Sequence, residues 1–251
     1  MYDYKVIGRK IKESLGLRYY PVGMYFSEEF PKDVINTEKQ YNGCIVPLIF
    51  SSAKGKGVAF NKNNTGRDCA AFFMGYKDWI FKGVENFLSD GMVFGRAGER
   101  FIKTGKQAKE YLKSFIPRKI NTKTTVFKPL QDFIGDECPE IIIFFVNPDE
   151  LSGLIYLLHY NSPDKDNIIV TGLHSGCGSV VTMPVRYKSE GKKKAVIGMH
   201  DVSVRSKLPK DIMTITIPFE LVREMYHDIN NSFVITENWE KIKKRNMSDR
   251  N

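Results

Sequence analysis

A cysteine that follows a Thr-Gly loop occurs twice in this chain, each time after the same kind of sequence. In the first copy, apolar residues 21–26 predict a strand, and a second apolar segment beginning at Cys44 predicts a helix. Residues 57–60 predict another strand, and a Thr-Gly loop then leads to Cys69. The order is therefore strand, helix, strand and cysteine loop.

The second copy repeats this order. Residues 139–145 predict a strand, 151–160 a helix and 167–171 a strand, and a Thr-Gly loop then leads to Cys177. We therefore predict an α+β fold of mixed sheets and helices. It would have two pseudo-repeated strand-helix-strand-Cys-loop halves that bring their cysteines toward a common site.

The length of 251 residues is consistent with a single, internally duplicated domain spanning 1–251. We place the first half at about 16–120 and the second at about 125–236, joined by a basic, poorly patterned stretch. Thr124–Pro129 and Met213–Pro218 support the repeat, because each reads as a strand that ends in proline.

Several further elements have specific sequence signatures. A helix from Asp3 to Leu15 has apolar residues at helical spacing and ends at Gly16. The run 140–146 is apolar throughout, as in a strand covered on both faces, and Asn147 and Pro148 begin the next helix. We also expect a helix over 78–88, and a strand over 167–171 that returns as a parallel neighbour of 140–146.

The composition predicts a cytoplasmic protein with free thiols. Hydrophobic residues make up 42% of the chain, and no apolar run approaches the roughly 18 residues of a membrane-spanning helix. The first residues also lack the apolar core of a secretory signal. A reducing compartment disfavours disulfides between the four cysteines.

The net charge of +9 makes a polyanionic partner a hypothesis to consider. The lysines are spread along the chain, and the short basic runs at 192–194 and 241–245 fall in an expected loop and tail. This distribution disfavours nucleic acid and favours a small-molecule ligand or a redox partner. The sequence does not define the oligomeric state.

The cysteines at 44, 69, 138 and 177 form no Cys-x-x-Cys pair, so spacing alone does not indicate a metal. Cys44, Cys69 and Cys177 each fall at a predicted loop-to-helix junction, where backbone N–H groups stabilise a thiolate. These three are our candidate metal ligands, for an iron-sulfur cluster or another thiolate-bound metal. Three thiolates on a cluster would leave one iron open to a substrate.

Cys177 is the strongest single candidate. Gly176 and Gly178 allow its backbone to approach a ligand closely, and His174 lies three residues earlier. Cys177 and His174 could therefore form a catalytic nucleophile-base pair or a metal-binding pair. Arg67, together with the two glycines, is a candidate for binding a cofactor or an anion.

At these same residues the chain resembles an uncharacterised family, domain of unknown function one-six-nine, found in archaea and anaerobic bacteria. The resembling segments include 21–25, the Cys44 and Cys69 segments and the residues 174–177. The resemblance carries no activity, but it implies that the cysteines at 44, 69 and 177 are characteristic of the family. It does not include Cys138.

Our preferred hypothesis is a metal or iron-sulfur centre on the loop cysteines, serving redox or small-molecule chemistry in an anaerobe. One alternative is a metal-free thiol enzyme that uses Cys177 with His174. Another is a non-enzymatic protein that binds an anion or nucleic acid. Whether the protein is an enzyme is left open.

Overall fold

The computed structural model describes residues 2–36, 41, 43–114, 117, 119 and 122–248. Within them, eight strands form a mixed sheet and two more form a small hairpin. The sheet strands are β1 (Val22–Ser27), β2 (Ile35–Asn36), β3 (Val58–Phe60), β6 (Thr124–Pro129), β7 (Ile141–Val146), β8 (Ile169–Val170), β9 (Ala195–Gly198) and β10 (Met213–Pro218). The hairpin consists of β4 (Met92–Val93) and β5 (Arg96–Ala97). The α+β class is confirmed.

Helices pack on both faces of the sheet. They are α1 (Tyr4–Leu15), α2 (Val46–Ser52), α3 (Asp68–Phe73), α4 (Val84–Leu88), α5 (Gly105–Ser114), α6 (Pro148–Tyr160), α7 (Met183–Ser189), α8 (Val202–Arg205), α9 (Phe219–Asp228) and α10 (Glu237–Ser248). A π-helical segment at Gly178–Thr182 directly precedes α7. The helix caps follow the sequence: Asp3 caps α1, Gly16 ends it in the left-handed region, and Asn147 and Glu150 form a capping box on α6.

Strand β7 separates the two hydrophobic cores. All six of its residues are buried, as the apolar run predicts. Ile141, Ile143 and Phe145 join the core that contains residues of α2, α3, α5 and α7, whereas the alternate residues join the core under α1, α6, α9 and α10. Cys177 belongs to the first core. We call this side of the sheet the cysteine face.

The strand order is β2-β3-β6-β1-β7-β10-β9-β8, with β1 and β7 antiparallel at the centre. Outward from this centre, the strands of one half are β1, β6, β3 and β2, and those of the other half are β7, β10, β9 and β8. In each half of this sheet, the first strand in the sequence is central, the last lies next to it, and the third and second follow. The registers also correspond, since Val22 pairs with Pro129 as Ile141 pairs with Pro218. The two halves of the sheet therefore have the same topology.

The predicted repeat is not confirmed in the form in which the sequence suggests it. In the observed order, β8 corresponds to β2 and not to β3. Cys177 follows β8, so its topological counterpart is Cys44, which follows β2, rather than Cys69. The predicted division into halves falls partly on residues outside the described ranges and stays a prediction.

Two other predictions are wrong in part. The helix expected over 78–88 is confined to α4, because Gly83 adopts a left-handed conformation with φ +86° just before it. The strand β8 is not a neighbour of β7. It lies at the edge of the sheet, parallel to β9, because β1 and β10 occupy both sides of β7.

Candidate functional site

Cys177 lies in the first turn of the helical run 176–189. Ser175 begins this run: its Oγ accepts a hydrogen bond from the Gly178 N–H at 3.0 Å, and its carbonyl oxygen accepts one from the Ser179 N–H at 2.9 Å. The π-helical segment follows at once, a local widening of the helix that is frequent at functional sites. The side chain of Cys177 is buried, with 6% of its surface exposed.

Cys69 occupies the equivalent position in α3, whose N-cap is Arg67. The backbone N–H groups of Cys69 and Ala70 are directed at its thiol and favour the thiolate. Burial nevertheless raises the pKa of Cys69, and the nearby Cys44 raises it further, while the positive charge of Arg67 acts in the opposite direction. Cys69 is only partly exposed, whereas Arg67 is exposed at the surface.

Cys44 precedes α2, in which Pro47 occupies the first turn as expected. The carbonyl oxygen of Cys44 accepts a hydrogen bond from the Tyr41 hydroxyl at 2.7 Å. The Cys69 loop packs directly on this segment: a Cβ added at Gly66 would lie 2.7 Å from the carbonyl oxygen of Gly43. This close approach requires a glycine at position 66, which also has φ +72°.

The Cys44 and Cys177 segments also meet. A Cβ added at Gly176 would lie 3.2 Å from a methyl carbon of Val46 in the first turn of α2. The pKa of Cys177 is raised well above its ordinary value, first by burial and then by the charges of Cys69, Cys44 and Asp201. The structure therefore brings Cys44, Cys69 and Cys177 into one neighbourhood at the starts of three helical segments.

Cys138 lies elsewhere. It is exposed and hydrogen-bonds Tyr4, which belongs to the core on the other face of the sheet. Burial, followed by the contact with Cys138, raises the pKa of Tyr4 to about 12. This placement agrees with the absence of Cys138 from the residues that carry the family resemblance.

His174 packs over the Cys177 loop. A Cβ added at Gly172 would lie 2.5 Å from Nε2 of His174. Burial, followed by the nearby His200 and Arg186, lowers the pKa of His174 to about 4. The imidazole is therefore neutral at pH 7 and a weak base.

Residues 199–201 complete the site, although the sequence patterns did not single them out as candidate site residues. The Asp201 carboxylate accepts hydrogen bonds from the Gly176 N–H at 2.8 Å and from the Ser203 N–H at 2.9 Å. Only the second of these, an N-cap interaction at α8, has a local sequence signature. Tyr111, on α5, donates to the carbonyl oxygen of Leu173 at 2.8 Å and so ties α5 to the same loop.

No group of three or more His, Cys, Asp or Glu side chains in the described ranges is arranged to hold a metal ion. The three thiols are close enough for charge on one to oppose charge on another, but they do not form a closed ligand set. Their chemistry nonetheless suits a soft cation, because such an ion would relieve the mutual repulsion of the thiolates.

The fold and this site define an α+β protein with a three-cysteine cluster on one face of an eight-stranded sheet. The profile of the uncharacterised ArCR family, DUF169, matches residues 10–228, and the chain belongs to this family. No curated protein and no solved structure matches the chain significantly. No helix in the described part of the chain is long and apolar enough to cross a membrane.

Proposed function

We propose that Cys44, Cys69 and Cys177 bind a soft metal ion or an iron-sulfur centre. The observation that carries this proposal is the meeting of three cysteines from distant parts of the sequence, each at the start of a helical segment. A structural role requires neither three thiols in one neighbourhood nor three helix starts that converge on them.

The local electrostatics support thiolate ligands once a cation is bound. Without one, burial and mutual repulsion raise the pKa of Cys69 and of Cys177, so both remain protonated near neutral pH. Backbone N–H groups at the helix starts favour the ionised sulfurs. A cation would shift this balance toward the thiolates, and protons would be released to the solvent.

A thiolate-bound centre supplies electron transfer or an open coordination position for a small ligand. Cys177 forms the buried side of the site, whereas Cys44 and Cys69 are partly exposed. Burial raises the pKa of Cys69 and of Tyr41, and the charge of Arg67 partly offsets this rise in both. The guanidinium of Arg67 therefore lies near these two residues, on the open side of the site. A small anionic ligand or a redox partner would approach there. A cytoplasmic location fits the four free thiols.

The structure gives less support to a metal-free thiol enzyme. Its nucleophile would be Cys177, which is buried and has a raised pKa, and its base would be His174, whose pKa is about 4. A nucleic-acid function also has little support from the basic run 192–194, because Lys192 pairs with Glu190 and Lys193 with Glu224.

Anaerobic purification with metal analysis and visible absorption tests the proposal. We expect metal, or a reconstituted iron-sulfur chromophore, in the wild type and in the Cys138→Ser control. Cys44→Ser, Cys69→Ser and Cys177→Ser should each lose most of it. A wild-type protein that stays colourless and metal-free, even after incubation with iron and sulfide or with soft metal ions, contradicts the proposal.

A further inference from the structure

Met199 follows β9 and lies against the Cys177 loop. The two residues after it anchor the strand end to this loop: Nε2 of His200 lies 2.7 Å from the carbonyl oxygen of Gly172, and Asp201 accepts the hydrogen bond from Gly176. The sulfur of Met199 lies 3.4 Å from the position that a Cβ on Gly176 would occupy. The thioether is therefore held beside the residue that precedes Cys177.

The backbone of Met199 is strained. Its φ is +65°, although only 1% of its surface is exposed. The other non-glycine residues with positive φ in the described ranges, Phe94 and Arg100, are exposed. A left-handed conformation is strained for a residue with a Cβ, so a glycine would be the unstrained choice here. The surroundings keep a methionine sulfur in this place despite that cost.

The guanidinium of Arg205 helps to maintain this geometry. It donates to the carbonyl oxygens of Met199 at 3.4 Å and of Ile212 at 2.5 Å, which fixes the loop between β9 and β10. Met199 and Cys177 belong to the same buried cluster, and Cys44 and Cys69 pack against it. The cluster also contains Met24, Met74 and Met183, and Met199 is distinguished by the contact of its sulfur with the residue before Cys177.

We propose that the Met199 thioether is a fourth sulfur donor of the cysteine site, and that the ion is monovalent and thiophilic, of the Cu(I) or Ag(I) kind. This inference rests on the proposed function and narrows it from metal centres in general to one class. Thiolate and thioether ligands together select such ions, whereas zinc takes thiolate or imidazole ligands and iron-sulfur clusters take thiolates. Each bound cysteine releases one proton to the solvent, Met199 releases none, and no oxidation state changes.

The test is an anaerobic competition titration of the apo-protein with Ag(I), and with Cu(I), against a chelator of known affinity. Met199→Leu keeps an apolar side chain of similar size. We expect it to weaken Ag(I) and Cu(I) binding at least tenfold and to leave Zn(II) binding unchanged. Met24→Leu, which alters a buried methionine of β1 in the same core, is the matched control and should bind all three ions like the wild type.

Selenium X-ray absorption of the selenomethionine-labelled wild type provides a second measurement that does not depend on the folding of a variant. A metal–selenium distance of bonding length in the Ag(I) complex supports the proposal. Equal Ag(I) affinity in Met199→Leu, or a wild-type complex without a metal–selenium contact, overturns this inference and leaves the three-cysteine proposal intact. A wild type that binds neither these ions nor any other metal overturns both.

Discussion

The carboxylate of Asp201 accepts a hydrogen bond from the backbone N–H of Gly176 at 2.8 Å. The same carboxylate caps α8 through the N–H of Ser203 and accepts the Ser203 hydroxyl at 2.7 Å. One side chain therefore joins the start of the Cys177 helical run to the end of β9. The geometry of the cysteine site depends on a contact between two segments that are not adjacent in sequence.

Replacing Asp201 by Ala should destabilise the protein by about 2 kcal/mol, because the Gly176 and Ser203 N–H groups lose their acceptor. Asp201→Asn retains an acceptor oxygen and should cost less. Urea denaturation followed by circular dichroism measures both changes. If the two variants are equally stable, the hydrogen-bond account is wrong.

Replacing Gly66 by Ala should separate the Cys44 and Cys69 loops, since the new Cβ would lie 2.7 Å from the carbonyl oxygen of Gly43. Gly55→Ala is the matched control, because Gly55 also has a positive φ, +95°, but has open space around it. Both variants carry backbone strain of about 1 kcal/mol. We expect Gly66→Ala to be less stable than Gly55→Ala by at least about 1 kcal/mol and to lose metal as well. Equal unfolding midpoints would show that the close approach is unimportant.

Lys128 lies in β6 with only 1% of its surface exposed, and its ammonium contacts Glu137 at 2.7 Å and Asp33 at 2.9 Å. Lys128→Met leaves the mostly buried Glu137 carboxylate without its cation, so we expect a loss of about 3–5 kcal/mol in the free energy of unfolding. Lys193→Met breaks an exposed pair with Glu224 and should change stability by about 0.5 kcal/mol or less. Urea denaturation of both variants checks the prediction, which fails if their losses are similar.

His174 should make the stability of the protein depend on pH. Its folded-state pKa of about 4 lies below the ordinary value of 6.5, so the unfolded chain binds a proton more readily. The stability that this histidine contributes is complete above pH 6.5 and is lost as the pH falls from 6.5 toward 4.

The variant His174→Gln should therefore lose less stability than the wild type between pH 7.5 and 4.5. After allowance for partial solvent exposure, we expect a difference of about 1 kcal/mol, measured from urea midpoints at the two pH values. His159→Gln, on the partly exposed side of α6, is the control and should follow the wild type. Parallel losses in all three proteins would exclude this role of His174.

The four thiols should react at different rates with an alkylating reagent. Cys138 is exposed, Cys44 and Cys69 are partly exposed, and Cys177 is buried with a raised pKa. At pH 7.5 in the metal-free protein, we expect Cys138 to react first and Cys177 at least about 100-fold more slowly, since its modification requires local opening. Time-resolved mass spectrometry assigns the order. Rapid labelling of Cys177 would instead support a thiol enzyme.

Local patterns in the sequence predicted the elements that local interactions determine. The apolar run at 141–146, the capping box at Asn147 and the left-handed Gly16 each appear where the residues indicate. The order of the strands was not predictable in the same way. Nothing in the two residues of β8 specifies β9 as its partner. In the comparison of the two sequence copies, β8 matches β3, but its place in the sheet corresponds to that of β2.

The candidate site, like the fold, was predictable from the sequence only in part. The cysteines were recognisable because thiols at helix starts have a local signature. Met199 and Tyr41 were not, because their roles come from tertiary contacts: a sulfur packed on Gly176, and a hydroxyl bonded to the Cys44 carbonyl oxygen. Hydrophobic periodicity carries no information about these contacts.

Within the described residues, the two outermost strands of the sheet, β2 and β8, contain two residues each. An edge this short offers another chain very little free backbone with which to form a hydrogen-bonded ladder. The central strands, which are rich in isoleucine and phenylalanine, are the segments most able to stack into fibrils, and they are enclosed on either side. Short strands at the described edges and enclosed central strands therefore disfavour edge-to-edge aggregation of the folded chain.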